Sequence, residues 1–222
     1  MLKTNSHAPI LIYAFRHGQT DWNSEGRIQG HLDIPLNAVG KDEARRLAHG
    51  FRHLRCTQIV SSDLSRAMDT AKIALDEAHL QGWHPLLSLR ADPRLREINL
   101  GRLQGLTHVE IHEQFGKELS GRLGVNILSD EELRDLGSES ADVLLERVTS
   151  SLFDVVHSRE FSDSPGPIAV STHGGILRRL LHEFGGMTEI RFSIPNGVFF
   201  PFEFIPAEKK LRLLTSIPFN AG

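Results

Sequence analysis

The chain has 222 residues, 40% of them hydrophobic and 24% charged, with a formal net charge of -3. That balance describes an ordinary globular chain long enough to bury a sizeable core, and it gives no global reason to expect nucleic acid or an anionic membrane as a partner. The single cysteine, Cys56, excludes an intramolecular disulfide, and no apolar run approaches the ~18–20 residues of a membrane span. A cytoplasmic setting fits both facts. Any chemistry on an anion must come from a local concentration of positive groups.

The elements follow in chain order. Lys3 and the apolar stretch Ala8 to Phe15 make a poor signal peptide, because the run is short and Arg16-His17 follows without a small-residue cleavage site. Ile10 to Phe15 instead reads as a strand buried on both faces. Asn37 offers an N-cap, and Val39, Ala44, Leu47, Ala48 and Phe51 mark one face of a helix. Gln58 to Ser61 reads as a second strand, Ser65 to about Ala78 as a helix, and Leu86 to Leu89 as a third strand. Thr107 and Glu110 match a capping box before a short helix that stops by Gly116.

The stretch from Glu118 to Gly137 is the least regular part of the chain and is expected to form a cap or lid over one edge. Ser140 begins a long amphipathic helix with Val143, Leu144, Val148, Leu152 and Val155 inward. After the break at Pro165-Gly166-Pro167 come a strand at Ile168 to Ser171 and a helix from Gly174 to about Phe184. Val198 to Phe204 and Leu211 to Ser216 look like a terminal strand pair. Strands alternating with helices imply one α/β domain over residues 1–222, a three-layer α/β/α arrangement with a mixed, mostly parallel sheet.

Two strands end alike, at Phe15-Arg16-His17-Gly18 and Ser171-Thr172-His173-Gly174-Gly175. Ligands of α/β sheets bind at the carboxyl ends of strands, so both histidines belong to that edge. A further strand ends in Ser61-Ser62-Asp63-Leu64-Ser65-Arg66. There an arginine enters the first turn of a helix, where the dipole disfavours it and a bound anion would account for it. Arg16 and Arg66 offer planar forks matched to phosphate oxygens. A neutral imidazole is a competent nucleophile toward phosphorus, and arginines with a second histidine suit the charge on a transferring phosphoryl group. Glu97, in Leu95-Arg96-Glu97-Ile98, is the candidate proton donor for the leaving oxygen.

Each feature alone has a plainer reading. Arg16-His17-Gly18 could be a turn with a surface histidine, and Arg66 a solvated helix residue. Glu97 could be tied in a salt bridge to Arg94, Arg96 or Arg102. Arg178-Arg179 reads as the exposed charged side of a helix, Cys56 as a packed thiol, and the remaining histidines show no metal-ligand spacing.

Together the blocks resemble the histidine phosphatase superfamily, which includes phosphoglycerate mutase-like enzymes. Arg16-His17-Gly18-Gln19-Thr20-Asp21-Trp22-Asn23 is similar to the family's opening signature. Pro35-Leu36-Asn37 with Gly40, Ser61 to Ala67, Leu95 to Ile98 and Thr172 to Gly175 occur in the family's order over nearly the whole chain. The resemblance implies that His17 forms a phosphohistidine, that Arg16, Arg66 and His173 build the phosphate pocket with Asn23 assisting, and that Glu97 protonates the leaving group and then activates water. It implies no metal or organic cofactor and a small-molecule phosphomonoester as substrate, and it leaves the oligomeric state open.

The resemblance favours the phosphatase branch, because the segment between Glu97 and His173 is comparatively short and carries the acids Asp130, Glu131, Glu132 and Asp135. Leu103-Gln104-Gly105-Leu106 and Ile194 to Val198 resemble mutase segments instead. Arg102-Leu103 also departs from the acid and tryptophan of many phosphatase relatives, so a phosphoglycerate mutase is the alternative. A catalytically silent phospho-ligand or protein-binding module is a third reading.

Overall fold

The apolar run at the start of the chain becomes the middle of a sheet. The structure, a computed structural model, describes residues 8–83, 87–123, 128–158, 166–186 and 194–215. Strand β1 (Ile10–Arg16) lies between β4 (Ile168–Thr172), to which it is parallel, and β5 (Phe199–Ile205), to which it is antiparallel. Strand β2 (Gln58–Ser61) flanks β4, β3 (Ser88–Ala91) flanks β2, and β6 (Lys210–Leu213) flanks β5. The six-stranded order is β3-β2-β4-β1-β5-β6, parallel from β3 to β1 and antiparallel beyond. The expected mixed, mostly parallel sheet is present.

Alternation along the strands divides the core. Ile12, Ala14, Val170, Phe200, Phe202 and Phe204 face one side, where α7 (Ala141–Val156) and α8 (Gly174–Gly185) cover them through Leu144, Val148, Leu152, Leu177 and Leu181. Phe15, Ile59, Ala169 and Phe199 face the other side, under Leu47, Ala48 and Phe51 of α2 (Ala38–Leu54) and Ala71, Ala74 and Ala78 of α3 (Ser65–Leu80). Small residues along α3 let it lie close to the sheet. The result is three layers.

The remaining helices are short: α1 (Asp21–Ser24), α4 (His108–Phe115), α5 (Lys117–Arg122) and α6 (Asp130–Asp135). The Thr107–Glu110 capping box is formed, and α4 ends before Gly116. Within the stretch from Glu118 to Gly137, the described residues are more regular than their sequence suggests. Another capping box, Ser129 with Glu132, opens α6, and Arg122 bridges to Glu132.

Some expectations shift. Val39 and Val143 are 49% and 56% exposed rather than inward. Each sits in the first turn of its helix, off the stripe drawn by Ala44–Leu47–Ala48–Phe51 or Leu144–Val148–Leu152–Val155. Strand β1 is fully flanked only from Ile12 onward, and Leu11 is exposed. The third strand starts at Ser88; Leu86, Pro165 and Ser216 lie outside the described residues.

Candidate active site

Sheet register assembles the site. Arg16 pairs with Thr172, and Ser171 pairs with Ser61. The residues that follow, His17, His173 and Ser62, therefore leave three adjacent strands at the same level. His17 continues the pairing through its N–H to the Thr172 carbonyl at 2.9 Å, and Ser62 N–H reaches the Ser171 carbonyl at 3.0 Å. The two imidazoles meet edge to face, with ring centroids 5.1 Å apart.

The backbone at His17 is held by a close approach that only glycine permits. A Cβ on Gly18 would stand 2.4 Å from the Gly40 carbonyl oxygen, and one on Gly40 would stand 2.1 Å from the Gln19 oxygen. The first turn of α2 thus lies directly on the turn after β1, with Asn37 as its side-chain cap. Gly18 N–H donates to Thr70 Oγ1 of α3 at 2.9 Å.

His17 is 2% exposed. Its Nδ1 lies 2.7 Å from the Gly18 carbonyl, which can only accept, so the proton sits on Nδ1 and the Nε2 lone pair is exposed to reaction. Burial holds the imidazole well below its ordinary 6.5, and Arg16 and Arg66 push it the same way. His173 is neutral for the same reasons, burial first and then Arg66 and His17. Its Nε2 is 2.8 Å from the Ser62 hydroxyl. That hydroxyl already accepts from Leu64 N–H at 3.3 Å and has its own proton to give Nε2, the arrangement in which His173 carries its proton on Nδ1.

Arg66 is 1% exposed in the first turn of α3. Its two terminal nitrogens donate to the Gly30 and Leu32 carbonyls at 2.7 and 2.8 Å. Burial pushes its guanidinium down to about 10. Arg16 donates to the Ile194 carbonyl at 2.7 Å. Among the described residues, Arg16 Nε, Arg66 Nε and His173 Nδ1 are buried N–H donors without a hydrogen-bond partner. Buried donors of this kind ask for an acceptor, and a phosphate oxygen is one.

Glu97 sits opposite, at the N-terminus of α8. Its Oε2 accepts from Gly175 N–H at 2.9 Å, and its Oε1 accepts from Ile176 N–H at 3.1 Å and Ile98 N–H at 2.8 Å. None of the arginines beside it in sequence takes it as an ion-pair partner: Arg94 binds Asp92 and Asp154, Arg96 binds Asp63, and Arg102 donates to the Asp135 carbonyl. Its own carbonyl is gripped by His31 Nε2 at 2.7 Å and Arg147 at 3.0 Å. Asn23 closes α1, its Oδ1 accepting from Thr20 N–H and hydroxyl at 3.1 Å.

Arg16, His17, Asn23, Arg66 and Glu97 line one cavity of about 560 Å³, with His173 packed behind His17. Arg27, His108, Arg178 and Arg179 line it too. The sequence reading of Arg178-Arg179 as an exposed side is corrected: Arg179 is 8% exposed and Arg178 half-buried. Arg178 stands one helical turn after Gly174, a spacing that returns it to the pocket end of α8. His31, Ser62, Thr70 and Arg147 were not legible as site residues, since each acts through a partner distant in sequence.

A three-layer α/β/α protein with paired histidines at the carboxyl ends of adjacent parallel strands has a phosphoglycerate mutase-like fold. The chain belongs to the histidine phosphatase superfamily (branch 1), whose family model matches residues 12–215. It is 35% identical over 174 residues to "Phosphoglycerate mutase-like protein 4" of Arabidopsis thaliana, covering 76% of this chain and 68% of that protein. It is 37% identical over 178 residues to "Probable phosphoglycerate mutase GpmB" of Enterobacter sp. (strain 638), covering 80% and 76%. Among solved structures, a mycobacterial glucosyl-3-phosphoglycerate phosphatase complexed with VO3 superposes with a TM-score of 0.71 at 28% identity, covering 96% of this chain and 99% of that one.

Proposed function

We propose that the chain is a phosphomonoesterase acting through a phosphohistidine on His17. The observation that carries this reading is the pairing of an available imidazole lone pair at His17 Nε2 with unpartnered buried donors on Arg16, Arg66 and His173. The Nε2 lone pair attacks phosphorus while the bond to the ester oxygen breaks, and Glu97 gives that oxygen its proton. Oε2 of Glu97 accepts only one backbone bond among the described residues, so it has a lone pair to carry that proton. Water then attacks phosphorus, passes its proton to Glu97, and the N–P bond breaks with its electrons returning to Nε2. Arg16, Arg66 and His173 hold the phosphoryl oxygens throughout. With the Asn23 oxygen engaged in capping, its amide N–H₂ is the part left to assist.

The cap role expected of residues 118–137 is part of this proposal, and Leu123, Leu128 and Leu133 in the cavity wall support it. Cys56 is a buried free thiol that burial pushes up to about 12, and among the described residues no helix is long and apolar enough to cross a membrane. The test is hydrolysis of an aryl phosphate with chelator present, with and without His17→Ala. Activity that survives His17→Ala, or an acid-labile phosphate absent from the quenched wild type, sinks the mechanism.

A second reading, phosphoglycerate mutase, is favoured by the names of the relatives and by Arg178, a further cation in the cavity wall. Rapid formation of 2-phosphoglycerate from 3-phosphoglycerate with a trace of 2,3-bisphosphoglycerate would establish it.

A further inference from the structure

Arg16, His17, Arg66 and Glu97, the groups that would handle phosphate, make up part of the wall of the cavity. Its volume, about 560 Å³, is that of sites enclosing a drug-sized molecule. Trp22, Ile28, Ile98, Leu100, Leu128 and Leu133 make up much of the remaining wall.

This wall is the open side of a hydrophobic cluster. The two large clusters are closed between sheet and helices. The third is built from Leu103, Ile111, Leu128, Leu133 and Leu136. Ile28, Leu100 and Leu123 stand at its margin, half-buried, and all three line the cavity. A guest in the outer cavity would therefore extend this cluster.

The outer cations are already engaged. Arg27 binds Glu25, Glu110 and the Gly105 carbonyl, and Arg179 binds Glu183. Arg178 lines the cavity and feels the charges of Arg16 and Glu97, which line it too. Gln29 Oε1, buried in the wall without a partner, could take one hydrogen bond, but the other hydroxyls of a polar leaving group would face leucine and isoleucine, where they lose hydrogen bonds. An apolar one would gain about fourfold in binding for each methylene buried.

From this wall we infer that the substrate is a phosphomonoester whose alcohol carries an apolar alkyl or aryl body, seated on Ile28, Leu100 and Leu133. The inference rests on the phosphomonoesterase reading above. A three-carbon sugar acid would leave the apolar wall facing water.

The experiment is phosphate release from ethyl, butyl and hexyl phosphate, whose leaving groups have nearly equal basicity, beside 3-phosphoglycerate and glucose 6-phosphate. We expect kcat/KM to rise about tenfold or more from ethyl to hexyl phosphate, and hexyl phosphate to exceed both polar esters. Ile28→Gln and Leu100→Gln, made separately, should each flatten the alkyl series. A flat or falling series, or preference for either polar ester, overturns the inference while leaving the phosphomonoesterase reading intact. Absence of phosphate release from every ester, with no phosphohistidine, instead removes the underlying reading.

Discussion

His31 donates from Nε2 to the backbone carbonyl of Glu97 at 2.7 Å, across 66 residues of sequence. The same loop supplies the Gly30 and Leu32 carbonyls that hold Arg66. One short segment therefore sets the distance between a candidate phosphate-binding arginine and the candidate proton donor. His31→Ala should lower kcat/KM for an alkyl phosphate about tenfold, the worth of one lost hydrogen bond in placing an acid. The loss should be smaller for nitrophenyl phosphate, whose leaving oxygen needs little protonation, and His31→Gln should restore part of it. Equal losses on both esters would show that His31 does not act through Glu97.

Glu97→Gln keeps the shape of the side chain and removes the transferable proton. On alkyl phosphates kcat/KM should fall about 10²- to 10⁴-fold, the usual worth of a general acid. Rapid-quench measurement should still detect phosphohistidine from nitrophenyl phosphate, with its hydrolysis slowed because no base activates water. An unchanged alkyl-ester rate would remove Glu97 from the mechanism.

Gly175 matters for the space its missing side chain leaves. A Cβ there would lie 2.5 Å from Glu97 Oε1, and its N–H donates to Oε2. Gly175→Ala should cost about 10- to 100-fold in kcat/KM by displacing the carboxyl group. Thermal unfolding should move by only a few degrees, since alanine is the better helix former. Wild-type kinetics in this variant would mean that the carboxyl position is not critical.

The two buried imidazoles also make stability depend on pH. His17 and His173 are held well below 6.5 in the folded chain and return to ordinary values on unfolding. Below that pH the unfolded state binds more protons, so stability falls as pH drops. The decline should approach about 1.4 kcal/mol per histidine per pH unit below about 6. Urea unfolding at pH 7.5, 6.5 and 5.5 measures it, and His17→Gln should make the slope shallower. Identical slopes for the two proteins would mean that His17 is not buried neutral.

Regular elements were legible wherever one period dominated. The β1, β2 and β4 runs, the long stripes of α2 and α7, and the caps at Asn37 and Thr107 all read directly from residue types. First turns were harder, because Val39 and Val143 are apolar yet lie beyond the edge of what their helices cover. Helices α5 and α6 are a turn or two long, too short for a period to show. At the site, residues at strand ends could be placed by the logic of the sheet, as for Arg16, His17 and His173. Arg178, Arg179, Arg147 and His31 could not, since burial of a charged or polar side chain depends on what the fold packs against it.

Strand β4 enters between β1 and β2, although it follows both by a long stretch of chain. During synthesis on a ribosome, the neighbours of the sheet's centre emerge well before the centre itself. Until residues 168–173 arrive, apolar Ile12 and Ala14 have no partner strand, Val60 is paired on its β3 side alone, and His17 has no second histidine. The insertion that joins β1 to β2 is the event that completes the pair of imidazoles, and β5 then adds Phe199, Phe200, Phe202 and Phe204 to the core. A truncated or half-made chain thus lacks packing and chemistry together, and phosphate-ester turnover would be a direct reporter of finished folding.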